Sequence, residues 1–260
     1  MFCASGNGRI AHFCTRHALR LGAAALAVSA LSGCQSIDVN SSNASRVRVF
    51  NASPDSSGFD FYTGKTGIVF NLGFSYNTTY VPLTPGTQTI TTNQSKDPTS
   101  TAPPLVLAST AASLGSQKNY TVIASNVAAG LQETIFPDQN FAAPSGQTAI
   151  RIINEATRIG AVDIYLIPSG GKLSTTLPVA TSVIFNTNSG YMNVPAGTYS
   201  VAVLPAGTTP GSGGPLFSGT QQSYPTGSAA TVMVIDTSLT TSPAANAVVL
   251  TDFTPATTTG

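Results

Sequence analysis

The side chains with the most chemical reach in this sequence come in repeated pairs. Arg48 is followed by Asp60, and Arg151 by Asp163, the second pair displaced from the first by 103 residues. A guanidinium and a carboxylate at such spacing can grip a charged ligand between them, or they can hold each other. If the segments VRVFN and FDFY form a hairpin centred near Pro54, residues 48 and 60 are equidistant from its centre and face one another, as do 151 and 163. An opposed ion pair of that kind contributes about 0.2 to 1 kcal/mol and fixes strand register. The pairs Arg48–Asp60 and Arg151–Asp163 are therefore expected to be structural. Asn51, Asp55 and Asp60 could instead gather oxygens around calcium, which takes about 6 to 8 of them. The second repeat argues against this, because it carries Arg158 in the place of Asp55.

The remaining reactive group is a thiol. Arg9, Arg16 and Arg20 precede an apolar stretch from Leu21 to Leu31, and Ser32, Gly33 and Cys34 follow at once. Those 11 residues suit a signal peptide and are too short for a spanning helix, which needs about 20. Leu31-Ser32-Gly33-Cys34 has the form of a lipobox: a branched apolar residue, two small residues, and a cysteine to take diacylglycerol. Cleavage between Gly33 and Cys34, lipidation of Cys34 and attachment to a membrane through that lipid are expected. Each buried CH₂ of an acyl chain adds about 0.8 kcal/mol. Gln35 rather than Asp follows the cysteine, which favours the outer membrane of a bacterial envelope.

Loss of residues 1–33 would leave 227 residues with a single cysteine and no histidine, since Cys3, Cys14, His12 and His17 all lie in the leader. That mature chain has no intrachain disulfide, no His-based triad and no His- or Cys-built zinc site. No cofactor or metal is implied, and the chain is read as a non-enzyme. Its eight Lys and Arg against ten Asp and Glu give a net charge of −2, without a basic stripe for nucleic acid.

Positioning falls to β structure. VRVFNA, FDFY, TTYVPL, TQTITT and YTVIAS cluster β-branched and aromatic residues between Gly, Pro, Asn and Ser, and no sustained helical period appears. Short helical turns are possible at 111–115 and 127–130. The chain also repeats itself. Arg48-Val49-Phe50-Asn51 matches Arg151-Ile152-Ile153-Asn154, and Asp60-Phe61-Tyr62 matches Asp163-Ile164-Tyr165. Tyr80 with Gly86-Thr87 matches Tyr191 with Gly197-Thr198 at an offset of 111, which places eight extra residues around Pro168 to Pro178. Tyr120-Thr121-Val122-Ile123 resembles Ala230-Thr231-Val232-Met233, and Asp138 has a counterpart in Asp252. The expected fold is all-β: two tandem antiparallel β-sandwich domains, Ig-like or transthyretin-like, at 46–140 and 147–253. A lipidated tether at 34–45 precedes them, a polar tail at 254–260 follows, and Pro/Gly/Ser/Thr-rich connections fall at 93–104 and 208–215.

The run VRVFNASPDSSGFDFYTG is similar to the start of the family known as domain of unknown function 4397 (DUF4397). Asn51-Ala52-Ser53-Pro54-Asp55 carries the likeness, and the second repeat departs from it at Glu155-Ala156-Thr157-Arg158. The resemblance implies an exported β sandwich, often in tandem, and transfers no catalytic residue. The resulting expectation is a membrane-anchored envelope lipoprotein with a binding or structural role, its partners an envelope protein or polysaccharide. A glycan-binding module stays open as a second reading, and a hydrolase using Ser with Lys or paired carboxylates as a third.

Overall fold

The computed structural model describes residues 42–97, 99–237, 239 and 244–256. The expected leader, the expected cleavage position at Gly33, the expected lipidation position at Cys34, most of the expected tether and the end of the tail lie outside the described residues. No helix among the described residues is long and apolar enough to cross a membrane.

The described chain is all-β. Its first half forms β1 (Ser45–Asn51), β2 (Phe59–Thr63), β3 (Thr66–Leu72), β4 (Val81–Leu83), β5 (Gly86–Gln94), β6 (Val106–Leu114), β7 (Asn119–Ser125) and β8 (Gln132–Asp138). The second forms β9 (Gln147–Asn154), β10 (Val162–Pro168), β11 (Pro178–Val183), β12 (Thr187–Pro195) and β13 (Gly197–Pro205). It ends in β14 (Phe217–Ser218), β15 (Gln222–Tyr224), β16 (Ala229–Asp236) and β17 (Ala245–Phe253). Of the two short stretches expected as helical turns, Ala128–Gly130 is a single 3₁₀ turn, whereas residues 111–114 belong to β6.

Four sheets result. Two have the same order, β4-β1-β7-β8 and β12-β9-β16-β17; two others, β3-β2-β5-β6 and β11-β10-β13 with β14 and β15, complete the sandwiches. Pairing is antiparallel with one departure in each half: β1 runs parallel to β7, and β9 parallel to β16. Parallel pairs are usually covered on both faces, and the burial of these strands shows why they are tolerated. All of β16 is buried, as are seven of the eight residues of β9.

Alternation along these strands assigns each face. Val47 and Val49 of β1, with Val122 and Ala124 of β7, face Phe59, Phe61 and Ile90 in the first sandwich core. Ile150 and Ile152 of β9, with Val232 and Val234 of β16, face Val162, Ile164 and Val203 in the second. The intervening residues point the other way and meet: Phe50 and Ile123 of one half pack with Ile153, Met233 and Ile235 of the other. The like-ordered sheets are thus inner layers apposed across a joint, and the other two are outer layers.

The hairpin expected from residues 47–62 does not form, because the chain leaves the inner layer after Asn51 and enters the outer layer at Phe59. Asn51 secures this crossover: its amide donates to the Leu72 carbonyl (2.8 Å) and the Ser56 hydroxyl (2.7 Å), and its carbonyl accepts from Ser53 N–H (3.0 Å). Asn154 repeats the device with the carbonyls of Val183 (2.9 Å) and Gly160 (3.2 Å) and with Ala156 N–H (3.0 Å).

Candidate functional site

The joint holds the densest set of buried polar side chains, and the repeated arginines are at its centre. Arg48 on β1 and Arg151 on β9 project from the inner sheets opposite to the sandwich cores. Both are almost fully buried. The expected pairs Arg48–Asp60 and Arg151–Asp163 are not made. Arg48 instead forms an ion pair with Asp252 at the end of β17, and Arg151 pairs with Asp138 at the end of β8 at 2.5 Å. The physical reason is the crossover: β1 and β2 occupy different layers, so residue 60 cannot oppose residue 48.

Each arginine takes a threonine hydroxyl from its own half and a carboxylate and a backbone carbonyl from the other. Arg48 donates from Nε to Thr121 Oγ1 (2.8 Å) and from Nη1 to the Thr251 carbonyl (2.9 Å). Arg151 donates from Nε to Thr231 Oγ1 (3.0 Å) and from Nη1 to the Pro137 carbonyl (2.8 Å). Thr121 and Tyr80 both donate to Asp138 Oδ2 at 2.7 Å, and Thr231 and Tyr191 both donate to Asp252 Oδ2 at 2.7 Å. The Tyr80 ring lies 5.0 Å from the Arg48 guanidinium and the Tyr191 ring 4.8 Å from that of Arg151, within cation–π range. Two arginines, two aspartates, two threonines and two tyrosines thus form a nearly two-fold network of zero net charge.

Electrostatics follow from that closure. Burial alone would lower the pKa of Arg48, but the Asp252 and Asp138 carboxylates outweigh it and hold it above its ordinary value. Burial, together with the neighbouring carboxylates, pushes the hydroxyls of Tyr80 and Tyr191 up, so both remain protonated donors. Buried ion pairs with every donor and acceptor engaged are costly to break but add little net stability over a well-packed apolar replacement. This network fixes which surfaces meet and at what register; it leaves no group poised to act on a substrate.

Asp60 and Asp163 do a different job. Each accepts the N–H of a residue in the left-handed backbone region at a bulge on the neighbouring edge strand: Asn71 (φ 51°) for Asp60 and Ser182 (φ 53°) for Asp163, both at 2.8 Å. Asp163 also accepts Gly207 N–H at 2.9 Å, and Asp60 also accepts the Ser95 hydroxyl. A bulge leaves a ladder N–H without its strand partner, and these carboxylates supply one. Asp55 is engaged by Ala128 N–H (2.8 Å) and the Ser53 hydroxyl (3.1 Å), so Asn51, Asp55 and Asp60 do not converge on a common ligand. Among the described residues no group of three or more acidic, His or Cys side chains could hold a metal ion.

The partners Asp138 and Asp252 were visible in the sequence as matched positions, as were Tyr80 and Tyr191. What linear spacing lacked was any sign that the match ran crosswise between repeats.

Two surface features remain accessible on the first half. A cleft of about 360 Å³ opens between β6 and β8, lined among others by Thr110, Ser113, Leu114, Tyr120, Glu133 and Ile135. Burial pushes the Glu133 carboxyl up to about 7 against the hydrogen bond it accepts from Thr92 (2.6 Å). On the outer sheet, Tyr62 and Phe70 meet edge to face with ring centroids 5.7 Å apart, and Phe70 is 63% exposed. Tyr62 is in register with Thr91, and Thr91 with Ser109, so hydroxyls continue the row across the sheet. Gly67 makes room for this arrangement, because a Cβ there would stand 2.4 Å from the Phe70 ring.

The fold and the joint define a class: paired β sandwiches closed face to face by a shared polar and apolar seam. More particularly, residues 45–165 match the family described as domain of unknown function (DUF4397). The matched region runs through the first sandwich into β9 and β10, so it includes Arg48, Asp138 and Arg151 but stops short of Asp252. No curated protein matches the sequence. Among solved structures, the chain is similar to the family 26 carbohydrate-binding module CBMbc from Eubacterium rectale Amy13K, crystallised with maltoheptaose. That likeness covers 82% of this chain and 98% of the module at 10% identity, with a TM-score of 0.24, too low to bear on fold or function.

Proposed function

We propose that this chain is a lipid-anchored envelope protein whose two sandwiches act as one rigid, non-enzymatic unit that binds another component of the bacterial envelope. The observation that carries the reading is the fate of the residues shared by both halves. Arg48, Arg151, Asp138, Asp252 and their Thr and Tyr partners are spent on the joint, and Asp60 and Asp163 on bulges. The repeated chemistry therefore builds a shape rather than a reaction centre, and binding falls to the surface of the first half. Anchoring through Cys34, with the outer membrane as its site, rests on the leader and lipobox of the sequence.

Radiolabelled palmitate offers a direct test of the anchor: incorporation lost on Cys34→Ala supports it, and labelling unchanged by that substitution overturns it. Crosslinking of intact envelopes followed by purification of the full chain tests the binding role. One recurrent partner, lost when the cleft residue Ile135 or the platform residue Phe70 is changed, is the expected outcome.

A second reading, a glycan-binding module, is favoured by one specific feature. The pair of half-exposed Tyr62 and exposed Phe70, bordered by Thr91 and Ser109, combines an apolar ring surface with hydroxyls, the composition a sugar face requires. Retention on immobilised polysaccharides that vanishes in Phe70→Ala would select this reading, and silence across a glycan array would remove it.

A further inference from the structure

The joint is nearly symmetric except at one pair of equivalent corners. Ala52 N–H and Glu155 N–H each reach back to the neighbouring parallel strand, to the carbonyls of Ala124 and Val234 respectively, both at 2.8 Å. Ala52 and Glu155 therefore hold the same position in the two halves, and so do Ser125 and Ile235, the next residues on β7 and β16. At one corner Ala52 and Ile235 belong to the apolar cluster of the joint. At the other, Glu155 of the second half lies beside Ser125 of the first. All four residues are wholly buried. Neither oxygen of the Glu155 carboxyl has a hydrogen-bond partner, nor has the Ser125 hydroxyl.

A carboxylate buried without a counter-charge costs several kcal/mol, more than the neighbouring Ser125 hydroxyl offsets, so such a group stays neutral or escapes to water. Charged groups on the surrounding elements offer no relief. Asp236, at the end of β16, is taken by Thr157 N–H and hydroxyl and by Arg158, whose Nε lies 3.4 Å from it. Asp55 is held by Ala128 N–H and Ser53, and Glu133 on β8 turns to Thr92 of the first sandwich.

We propose that the Glu155–Ser125 corner is a proton-operated latch between the two halves. With the Glu155 carboxyl neutral the inner sheets close fully; ionisation opens this corner so that the carboxylate gains water, while the arginine network keeps the halves joined. The direction follows from burial, which pushes Glu155 up to about 7 from an ordinary 4.5. A carboxyl raised in the closed state favours closure at low pH, and opening increases as pH rises from about 4.5 to about 7, then levels off.

Backbone hydrogen exchange on the full chain at pH 5 and pH 8, corrected for the intrinsic pH dependence of exchange, tests the latch. Peptides covering 119–127 and 150–158 are expected to lose protection at pH 8 by about 10-fold or more, with an upper limit of about 70-fold between these two pH values set by the two carboxyl values. Glu155→Gln removes the change, whereas Glu133→Gln, which alters the other raised carboxyl, leaves it in place. Equal corrected protection at both pH values in the unaltered chain overturns the proposal, as does an undiminished change in Glu155→Gln. Should Glu155→Gln fail to fold, the unaltered chain and Glu133→Gln still decide, because the first comparison needs no variant.

Discussion

The two halves of this chain share their inner layers almost residue for residue and differ in their outer ones. On the inner side, Arg48 and Arg151, Thr121 and Thr231, Tyr80 and Tyr191, and Asp138 and Asp252 play matching parts. On the outer side, Tyr62 stands half-exposed beside Phe70, whereas its counterpart Tyr165 is buried with Ile167, Ala202 and Leu204, and Leu173 from the longer β10–β11 connection packs on them. The lesson is that a surface which must match a twin is held to fixed residue types, whereas a surface free of that requirement can be capped in one half and left open in the other.

Breaking the inner likeness is expected to cost most. Asp252→Ala leaves buried Arg48 with only the more distant Asp138 carboxylate at 3.9 Å, and denaturant unfolding should register a loss of up to about 3 to 5 kcal/mol. Asp138→Ala should cost at least as much, because it strips Arg151 and also removes the second carboxylate beside Arg48. A clearly smaller loss in Asp138→Ala would refute the near-symmetry of the joint. Next comes the apolar part of the seam. Ile153→Ala, in the joint, and Ile150→Ala, in the second core, should each lose about 2 to 5 kcal/mol, which would make the seam as well packed as a core.

A pH series separates the halves further. Glu133 occurs in the first half, where the register of β8 on β7 and of β17 on β16 sets Ala247 at the equivalent place. Its carboxyl is raised by burial to about 7 in the folded chain. Its contribution to stability is therefore whole below about pH 4.5 and lost as pH rises to about 7. Glu133→Gln should flatten that decline and leave the chain about 1 to 2 kcal/mol more stable at pH 8, less than the full linkage value because part of the side chain reaches water. Thermal midpoints at pH 5 and pH 8 measure it. Smaller still are the bulge carboxylates: Asp163→Ala, which strands two N–H donors, should cost about 1 to 3 kcal/mol and Asp60→Ala less. Phe70→Ala on the open outer face should change stability by no more than about 0.5 kcal/mol in thermal unfolding.

Much of the fold was legible in the sequence because short-range signals carried it. β-branched runs marked the strands, Pro- and Gly-rich stretches marked the connections at 95–105 and 206–216, and the all-β sandwich class followed. Arg48 and Arg151 stood out as repeated residues. Their partners are not legible there, because proximity in sequence does not give proximity in space across two layers. Asp60 lies 12 residues from Arg48, whereas the true partner Asp252 is 204 residues away. No local pattern encodes which layer a strand enters, since Val-Arg-Val-Phe-Asn reads alike whether its polar face meets water or a second sheet. The clue was the burial implied by the second repeat: Arg-Ile-Ile-Asn and Ala-Ala-Thr-Val-Met-Val-Ile-Asp are too apolar for strands with one wet face.

The crosswise ion pairs have one further effect. Because each guanidinium is neutralised by a carboxylate from the opposite repeat, neither repeat is electrically self-sufficient. Drift at Arg48 must be answered at Asp252, some 200 positions downstream, so the repeats are bound to diverge in step wherever they touch and are at liberty to diverge everywhere else.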